Sequence, residues 1–349
     1  MTTHSLISPS SFERRFLCAG SYNAEKHLPA VTSKYAEEGT MLHERTAMYL
    51  ESKSNWDENL TNSQKDAVKN SGDYFNSLKD DENKIILGEF HEKKYSLSFI
   101  EESMKGTADS VLLLEDTNNQ NVEVHVIDYK FGKGVVVNAY ENYQLLLYFL
   151  GVINHSYIKQ LLKGKVIAVH LHIVQPFIKS TKWSLTEEDI IKFCDISFYK
   201  KVVEACKDPN AKRIASKKAC MFCKAKATCP SISKIIPKLN VDVFDLEDDE
   251  IATIYDNRDL IKSYLNSIEE YIQNKITNEG FEGYELKDKL SNRKWTKDAK
   301  VALEILLGDQ AKIVTKNLIT IGKAEKLLDK KIINQLTTRE VTGVEIIKV

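Results

Sequence analysis

Two aspartates and a lysine fall near the ends of two predicted strands, 107–114 and 122–130. Side chains alternate along a strand, so Asp128 and Lys130 project from the same face. If the first strand is the hairpin neighbour of the second, Asp109 lies near the same end of the sheet as Asp128. Two converging carboxylates repel each other unless a cation lies between them, and oxygen ligands of this kind select Mg²⁺ or Mn²⁺. A lysine beside such a metal makes a site for phosphodiester hydrolysis.

Two polar side chains on the following helix, predicted over 138–162, are expected to lie at the same end of the sheet as the two aspartates. Gln144 and Tyr148 are four residues apart and therefore share one helical face, among three leucines. The alternative interpretation of this pair is a satisfied polar seam, which is the less favoured of the two. An Asp-x-Lys pair is also common by chance, and at a strand end it is more often an exposed ion pair of little energetic weight. The order of all these groups around one small core favours the catalytic interpretation.

A cysteine triplet forms a second group of candidate ligands. Cys220, Cys223 and Cys229 follow the predicted core closely, and three thiolates need a fourth ligand to close a tetrahedral site. Cys18, at the end of a predicted opening helix, is the candidate. The spacing does not distinguish structural Zn²⁺ from an iron-sulfur cluster, because both use four cysteines. Zinc, however, usually takes two close pairs.

The composition is that of a folded protein. The chain has 349 residues, 42% hydrophobic and 28% charged, with 6 Pro and 14 Gly, which excludes collagen-like, mucin-like and wholly disordered chains. No apolar run reaches the roughly 18 residues of a transmembrane helix, and the N-terminus lacks the pattern of a signal peptide. A cytoplasmic location is expected, where cysteines are metal ligands or buried thiols rather than disulfides. Cys194 and Cys206 are interpreted as small buried hydrophobic residues.

The net charge of −1 conceals a strongly basic segment. Residues 200–240 hold eleven Lys or Arg against two acids, whereas residues 241–256 hold seven acids and no Lys or Arg. This reversal predicts a boundary near residue 240, between a core domain over 1–240 and a mainly helical extension over 241–349. The basic segment is either a solvated face or a nucleic-acid contact, and taken alone it favours neither.

The elements that must position these residues are mixed helices and strands. The opening helix starts with a capping-box pattern at Ser10 and Glu13, and a second helix over about 40–51 carries His43 in its first turn. Taken alone, an imidazole there favours a hydrogen bond to a neighbouring loop over a metal. Periodicity and turn residues give an α-β-β-β-α-β order, and hence an α/β core. The other predicted elements are helices over 61–79, 186–206, 246–278, 298–307 and 322–328 and strands over 85–90, 95–100 and 166–174, besides those given above.

The order Gly106-x-x-Asp109, Asp128-x-Lys130 and Gln144-x-x-x-Tyr148 resembles the PD-(D/E)xK nuclease superfamily, whose core is restriction-endonuclease-like. Its RecB-like branch also has an upstream helix with a Gly-x-x-x-His pattern, which Gly39 to His43 supply here. The strings over 35–44, 127–134 and 291–295 are similar to a phage and prophage family of this branch that is often catalogued as a domain of unknown function. The resemblance therefore covers nearly the whole chain.

This resemblance implies a role for each site residue. It implies a catalytic lysine at Lys130, and Gln144 and Tyr148 as helix residues that orient the substrate or the site. Glu89, on an earlier strand, is a possible outer member that its spacing does not place. The implied ligands of Mg²⁺ or Mn²⁺ are His43, Asp109 and Asp128.

The cysteines carry a further resemblance. One cysteine before the nuclease core and three after it resemble the iron-sulfur nucleases of the AddB type and the CRISPR-adaptation exonucleases. In those proteins the four cysteines hold a [4Fe-4S] cluster that joins the two ends of the domain. The resemblance implies the same cofactor on Cys18, Cys220, Cys223 and Cys229, with zinc as the alternative.

The expected function is therefore that of a metal-dependent DNA nuclease, and more specifically an exonuclease of phage recombination or replication in the cytoplasm of a bacterial host. DNA is the expected partner, bound through residues 200–240 with a further phosphate contact from Lys133, and phage recombination or replication proteins are additional candidates. No membrane partner is expected. The alternative is a non-catalytic DNA-binding or recombination scaffold that keeps the fold, although the intact acids and lysine favour an enzyme. A zinc-containing RNA-processing nuclease is a third interpretation.

Overall fold

The computed structural model describes residues 7–28, 34–162, 165, 167–234, 246–307 and 320–348. The chain divides into two compact units, Met1–Ser263 and Tyr264–Val349. The predicted boundary near residue 240 lies within 235–245, outside the described residues. All residues expected to carry chemistry belong to the first unit.

A five-stranded mixed sheet forms the centre of the first unit, with its strands in sequence order. Neighbouring strands are antiparallel except for the third and fourth, which are parallel. A parallel pair needs a crossover connection, which helices supply here. The predicted α/β class is therefore confirmed. The strands are β1 Lys84–Ser96, β2 Lys105–Asp116, β3 Val122–Tyr129, β4 Ile167–Val174 and β5 Thr181–Leu185.

The sequence pattern misplaces two strands at the sheet edges. The predicted strands over 85–90 and 95–100 are one strand, β1, which pairs continuously with β2 except for one irregularity near Gly88. Because β1 is an edge strand, a polar stretch in its middle does not interrupt pairing as it would in a buried strand. Strand β5 is missing from the prediction because only Trp183 of its five residues is buried, which leaves a weak pattern.

Helices pack on both faces of the sheet. Helix α5 carries the crossover from β3 to β4, together with α6, while α3 and α4 pack on the opposite face. The helices of the first unit that precede the acidic segment are α1 Pro9–Leu17, α2 Ser21–Glu25, α3 Lys34–Leu50, α4 Asn62–Ser77, α5 Tyr143–Asn154, α6 Ser156–Leu162, α7 Glu187–Phe193, α8 Ile196–Lys207, α9 Lys217–Cys220 and α10 Pro230–Ser233.

Several helix predictions are wrong in their bounds, including the one over 138–162, which is the two helices α5 and α6 and begins only at Tyr143. Helix α1 begins at Pro9, and the N–H of Ser8 donates to Ser11 Oγ at 2.9 Å, so the predicted capping box at Ser10 is displaced. Proline favours the first helical position, which explains the earlier start. Helix α3 begins at Lys34, so His43 lies in mid-helix rather than in the first turn. The predicted helix over 186–206 is two helices because Asp195 caps the second.

Alternation along β3 divides the core into two layers. Val122, Val124 and Val126 pack toward α5, whereas Ile127 and Tyr129 pack toward α3 and α4. Helix α5 is buried along its whole length from Leu145 to Val152. It lies between the sheet and a third cluster that includes residues of α1 and α8. This double burial explains its almost uniformly apolar sequence.

The acidic segment and the second unit contain further helices and two small sheets. The predicted helix over 246–278 is two helices, and the second of them crosses the boundary between the units. The small sheets pair β6 with β9 and β7 with β8. Among the described residues, no helix is both long and apolar enough to span a bilayer. The elements are α11 Asp248–Asp256, α12 Arg258–Asn278, β6 Tyr284–Leu290, β7 Lys294–Trp295, α13 Ala299–Leu307, α14 Ile321–Ala324, α15 Lys330–Leu336, β8 Thr337–Thr338 and β9 Val341–Lys348.

Candidate functional site

The two aspartates meet at the end of the β2–β3 hairpin. Strand pairing sets Ser110 opposite Ile127, which brings Asp109 beside the end of β3. Asp109 Oδ2 accepts a hydrogen bond from the backbone N–H of Tyr129 at 2.7 Å. The two acids are almost inaccessible, since Asp109 is 8% exposed and Asp128 1%. The structure thus brings together the two carboxylates that the sequence analysis expects to converge.

Helix α3 positions His43 beside the two aspartates. Its Nδ1 lies 3.2 Å from Asp109 Oδ2, and its ring meets Phe131 edge to face with centroids 5.2 Å apart. Burial disfavours a charged imidazole, but the negative charge of Asp109, followed by that of Asp128, outweighs burial and raises the pKa of His43. The histidine is therefore part of the acidic site and not of a separate loop contact.

Sequence reasoning misses Glu92, in the middle of β1. The register sets His91 opposite Ser110 and therefore Glu92 across from Asp109. Glu92 Oε1 lies 3.8 Å from His43 Nδ1. Its backbone has a φ of 46°, in the left-handed region that costs energy for a residue with a side chain. No periodic signal marks Glu92, because the stretch around it reads as a polar gap between two strands.

Burial, followed by the charge of Asp109, raises the pKa of Glu92 to about 7. A carboxylate held in strained backbone against two other acids is destabilising without a compensating cation. Glu89, which the sequence analysis leaves unplaced, is instead engaged by Lys79, with Nζ 3.1 Å from Glu89 Oε1.

Lys130 and the two helix residues form one hydrogen-bonded network with Asp128. Lys130 Nζ donates to Gln144 Oε1 at 3.2 Å and lies 2.7 Å from Asp128 Oδ2. Gln144 Nε2 in turn donates to Asp128 Oδ1 at 3.1 Å and to Tyr148 Oη at 2.9 Å. Asn142 caps the start of α5 and so fixes the position from which Gln144 reaches the strand.

In this network, burial and the neighbouring charges shift the pKa values in opposite directions. Burial raises the pKa of Asp128 above its usual range despite the adjacent Lys130 ammonium. Burial also disfavours the charged form of Lys130, but Asp128 and Asp109 outweigh it and raise the pKa of the lysine. Burial raises the pKa of the Tyr148 hydroxyl well above its usual value, so this residue remains neutral. Lys130 is therefore a fixed positive charge beside a group of buried acids.

The acidic site has the donor set of a divalent metal site. Donor atoms of His43, Glu92 and Asp109 lie within 4.8 Å of one another. Two carboxylates suit Mg²⁺ or Mn²⁺, and the imidazole adds a nitrogen donor. Asp128 is adjacent to this group, and its Oδ2 lies beside Lys130 without a well-directed hydrogen bond. The residues present can therefore hold a metal ion, with Glu92 as a member that the sequence does not reveal.

The four cysteines expected to act together do lie together. Cys18, Cys220, Cys223 and Cys229 line one small cavity, which is otherwise mostly apolar. The backbone N–H of Ile214 donates to Cys18 Sγ at 3.2 Å, across 196 residues of sequence. Burial raises the pKa of the Cys223 thiol to about 11. A thiolate at this position therefore depends on a positively charged partner such as a metal.

Close backbone contact fixes the N-terminal segment against the segment that precedes the triplet. The N–H of Gly20 donates to the carbonyl of Lys212 at 3.0 Å. A Cβ at Gly20 would lie only 2.5 Å from the carbonyl oxygen of Ala211, so only glycine fits here. This contact places Cys18 against the triplet.

A buried ion pair supports the same junction. Arg15 Nη1 lies 2.6 Å from Glu25 Oε2, and both side chains are 2% exposed. Glu25 Oε1 also accepts a hydrogen bond from the backbone N–H of Lys224, in the loop between Cys223 and Cys229, at 2.7 Å. The carboxylate therefore ties the first two helices to the cysteine loop.

The other cysteines lie outside this cavity. Cys206 is fully buried in the third core cluster, and Cys194 is half-buried at the end of α7. Burial raises the pKa of each to about 11. These positions agree with their interpretation as small buried residues.

The basic segment is partly neutralised by acids. Lys207, Lys217 and Lys218 form ion pairs with Glu101, Asp259 and Glu13, respectively. Lys226 is buried, and its Nζ donates to Ser263 Oγ. The positive charge available to a polyanion is therefore smaller than the sequence count indicates.

Comparison with known proteins identifies the family of this chain. The solved structure described as "Crystal structure of SSO0001" is similar, with 15% sequence identity, coverage of 64% of this chain and 95% of the other, and a TM-score of 0.25. The family described as "Protein of unknown function (DUF2800)" matches residues 4–344. Because this match spans almost the entire sequence, the chain belongs to the DUF2800 family.

Proposed function

We propose that this chain is a Mg²⁺- or Mn²⁺-dependent deoxyribonuclease of the RecB-like PD-(D/E)xK type, with a restriction-endonuclease-like core, and that it acts as an exonuclease. The observation that carries the proposal is the convergence of Asp109, Asp128, Lys130 and His43 at one sheet edge. Burial raises the pKa of Asp128, so a cation would stabilise its charged form, and the fixed lysine beside it suits a phosphate substrate. The α/β topology, with one parallel pair, is consistent with this core.

The residues divide into those that hold the metal and those that act on the substrate. His43, Glu92, Asp109 and Asp128 would hold the metal. When bound, it would polarise the scissile phosphate and lower the pKa of the attacking water. Lys130, kept protonated by the surrounding acids, supplies a preorganised positive charge for the transition state.

Gln144 positions the lysine. Its carbonyl oxygen accepts from Lys130 while its amide nitrogen donates to Asp128, so the orientation of one amide fixes both charged groups. Tyr148 accepts the second amide hydrogen and prevents the amide from turning over. Both helix residues are therefore positioning residues in this proposal.

The cysteine cavity is proposed to hold a [4Fe-4S] cluster rather than zinc. A tetrahedral Zn²⁺ with Zn–S bonds of about 2.3 Å places its sulfurs roughly 3.8 Å apart. The four cysteines that line the cavity are instead one residue distant in sequence, Cys18, and a close triplet. This pattern differs from the two close pairs that zinc usually takes and resembles that of the four-cysteine [4Fe-4S] nucleases. The cluster would join the N-terminal helices to the segment after the sheet.

The proposed substrate is DNA, in phage recombination or replication. Support for this setting comes from the family resemblance of the motifs, while the exposed lysines of α8, Lys200 and Lys201, offer phosphate contacts. Lys133, in the exposed loop after β3, lies over the Phe177 ring at 4.2 Å and is close in sequence to Lys130. It is therefore a further candidate for a phosphate contact.

The proposal is tested by incubating the full-length protein with end-labelled linear DNA and with covalently closed circular DNA, each single- and double-stranded. We expect degradation of linear DNA with Mg²⁺ or Mn²⁺, none with a chelator, and little attack on circles. Asp128→Asn should abolish cleavage, whereas Asp116→Asn, at the other end of the same hairpin, should not.

Two outcomes would overturn the proposal. Cleavage at the wild-type rate by Asp128→Asn would mean that the chemistry lies elsewhere. DNA binding by the wild type without cleavage in either metal would instead support the non-catalytic scaffold.

A further inference from the structure

A second group of metal-ligating side chains lies on the other face of the sheet. Strands β3 and β4 are parallel, with His125 paired to His170 and Ile127 to His172. The rings of His125 and His170 have centroids 4.7 Å apart. His125 Nε2 lies 3.1 Å from Glu123 Oε2. Donor atoms of these three residues, Glu123, His125 and His170, lie within 4.8 Å of one another.

This group is separate from the candidate active site. Glu123 and His125 alternate with Val122 and Val124, which face α5. Asp128 has the same parity as those valines, so it projects from the opposite face. The proposed nuclease chemistry uses none of the three residues.

The two histidines are held by neighbours through their other ring nitrogen. His170 Nδ1 lies 2.8 Å from Ser184 Oγ, and His125 Nδ1 lies 3.0 Å from His172 Nε2. The chain continues from His172 Nδ1 to Tyr74 Oη at 2.9 Å. Metal-ligating histidines are typically oriented in this way, with one ring nitrogen fixed and the other directed at the ion. Here Nδ1 is engaged in both rings, which leaves Nε2 as the donor atom for an ion, and the Nε2 of His125 already faces the carboxylate of Glu123.

The carboxylate of this group, on Glu123, forms an ion pair with a lysine. Lys84 Nζ lies 2.9 Å from Glu123 Oε2. It also lies 3.4 Å from Asp81 Oδ2, so a second acid is within reach if the lysine leaves Glu123. The ammonium and a metal ion would therefore compete for the same carboxylate.

We propose that Glu123, His125 and His170 form a second metal site, for a transition metal such as Zn²⁺. When the metal is absent, Lys84 forms an ion pair with Glu123 in its place. Two imidazoles and one carboxylate suit Zn²⁺ and disfavour Mg²⁺. Tetrahedral zinc with bonds of about 2.0–2.1 Å separates its donor atoms by roughly 3.3 Å. The 3.1 Å between His125 Nε2 and Glu123 Oε2 is close to this value, and a donor atom of His170 lies within 4.8 Å of the donor atoms of both. The ion would link β3 to β4.

The test is a count of Zn²⁺ bound by the metal-free full-length protein, in competition with a chromophoric chelator. The next three variants retain the acidic site and the cysteines, so the informative quantity is the difference in bound Zn²⁺ between each variant and the wild type. His170→Ala should bind one equivalent fewer than the wild type. Lys84→Met should retain that equivalent and bind it more tightly. His27→Ala, which removes an exposed histidine, is the control and should match the wild type.

Equal zinc stoichiometry in His170→Ala and the wild type would overturn the proposal. Weaker zinc binding in Lys84→Met would overturn the assigned competition. Circular dichroism distinguishes loss of the ligand from loss of the fold, and His170 is only half-buried, so its truncation should be tolerated. The double variant Asp128→Asn/His170→Ala should bind one equivalent fewer than Asp128→Asn alone, which separates this site from the proposed nuclease site.

Discussion

The acidic site and the cysteine cavity join distant parts of the chain by opposite physical means. At the acidic site, strand register forces carboxylates together, and the charges remain unbalanced, as the raised pKa values of Asp128 and Glu92 record. At the cysteine cavity, helices and loops meet through a satisfied ion pair, Arg15 with Glu25, and a close contact at Gly20. A site that stores electrostatic strain is suited to chemistry, and one whose polar groups are paired is suited to holding the fold.

The largest expected effect is on catalysis at the acidic site. Lys130→Met should lower the rate of DNA cleavage by about 10²–10³-fold, the usual cost of removing one preorganised transition-state stabiliser. DNA binding should change little, because Lys130 is one charge among many on the protein. The measurement is single-turnover cleavage together with a binding titration. Equal losses of binding and cleavage would show that Lys130 only attracts DNA.

At the cysteine cavity, the expected effect is on folding. Cys18→Ser and Cys229→Ser should each lose iron and lower the thermal unfolding temperature, because metal binding contributes folding free energy. Cys194→Ser, outside the cavity, should cost roughly 1 kcal/mol and leave the iron content unchanged. Anaerobic purification with metal analysis and calorimetry makes the comparison. Full iron content in Cys18→Ser, or stoichiometric zinc without iron in the wild type, would contradict the proposed cluster.

The buried ion pair of Arg15 with Glu25, which contacts the cysteine loop, provides a third comparison. Glu25→Gln leaves Arg15 buried without its carboxylate, which should lower the free energy of unfolding by roughly 3 kcal/mol. Glu13→Gln, which breaks the exposed pair with Lys218, should cost less than about 1 kcal/mol. Chemical denaturation measures both. If the two variants lose the same stability, the junction is not held by this buried pair.

The sequence predicts some of these contacts because they follow from regular geometry. Strand alternation and a short hairpin are enough to bring Asp109 beside Asp128, and helical spacing is enough to align Gln144 with Tyr148. Likewise, the expectation that a cysteine triplet takes a fourth cysteine as partner points to Cys18, which lines the same cavity.

Other contacts cannot be predicted because they depend on irregular backbone or on tertiary burial. Glu92 reaches the site through a left-handed backbone conformation inside a strand, which no periodic pattern encodes. Arg15 lies next to another arginine in a short helix, a pattern typical of a surface residue. Its side chain is nevertheless only 2% exposed, and its burial is tolerated because it forms an ion pair with Glu25. The three histidines of β3 and β4 become neighbours only through parallel pairing between strands separated by two helices.

The smallest effect we expect is a change in pH dependence at Glu92. Its folded-state pKa of about 7 lies above the ordinary 4.5, so between these values the folded protein binds more protons than the unfolded chain. Stability from this group is therefore complete below pH 4.5 and is lost as the pH rises to 7. The side chain is 38% exposed, so solvent screening reduces the effect.

In metal-free protein, Glu92→Gln should flatten this decline and be more stable than the wild type at pH 8, while both should be similar near pH 4.5. Added Mg²⁺ or Mn²⁺ should stabilise the wild type more than the variant, because the ion supplies the cation that the crowded acids require. Glu89→Gln, on the same strand but paired with Lys79, is the matched control and should leave the metal effect intact. Denaturation curves across this pH range, with and without metal, decide the matter. If Glu92→Gln is no more stable than the wild type at pH 8, the acidic site does not store the electrostatic strain that distinguishes it from the cysteine cavity.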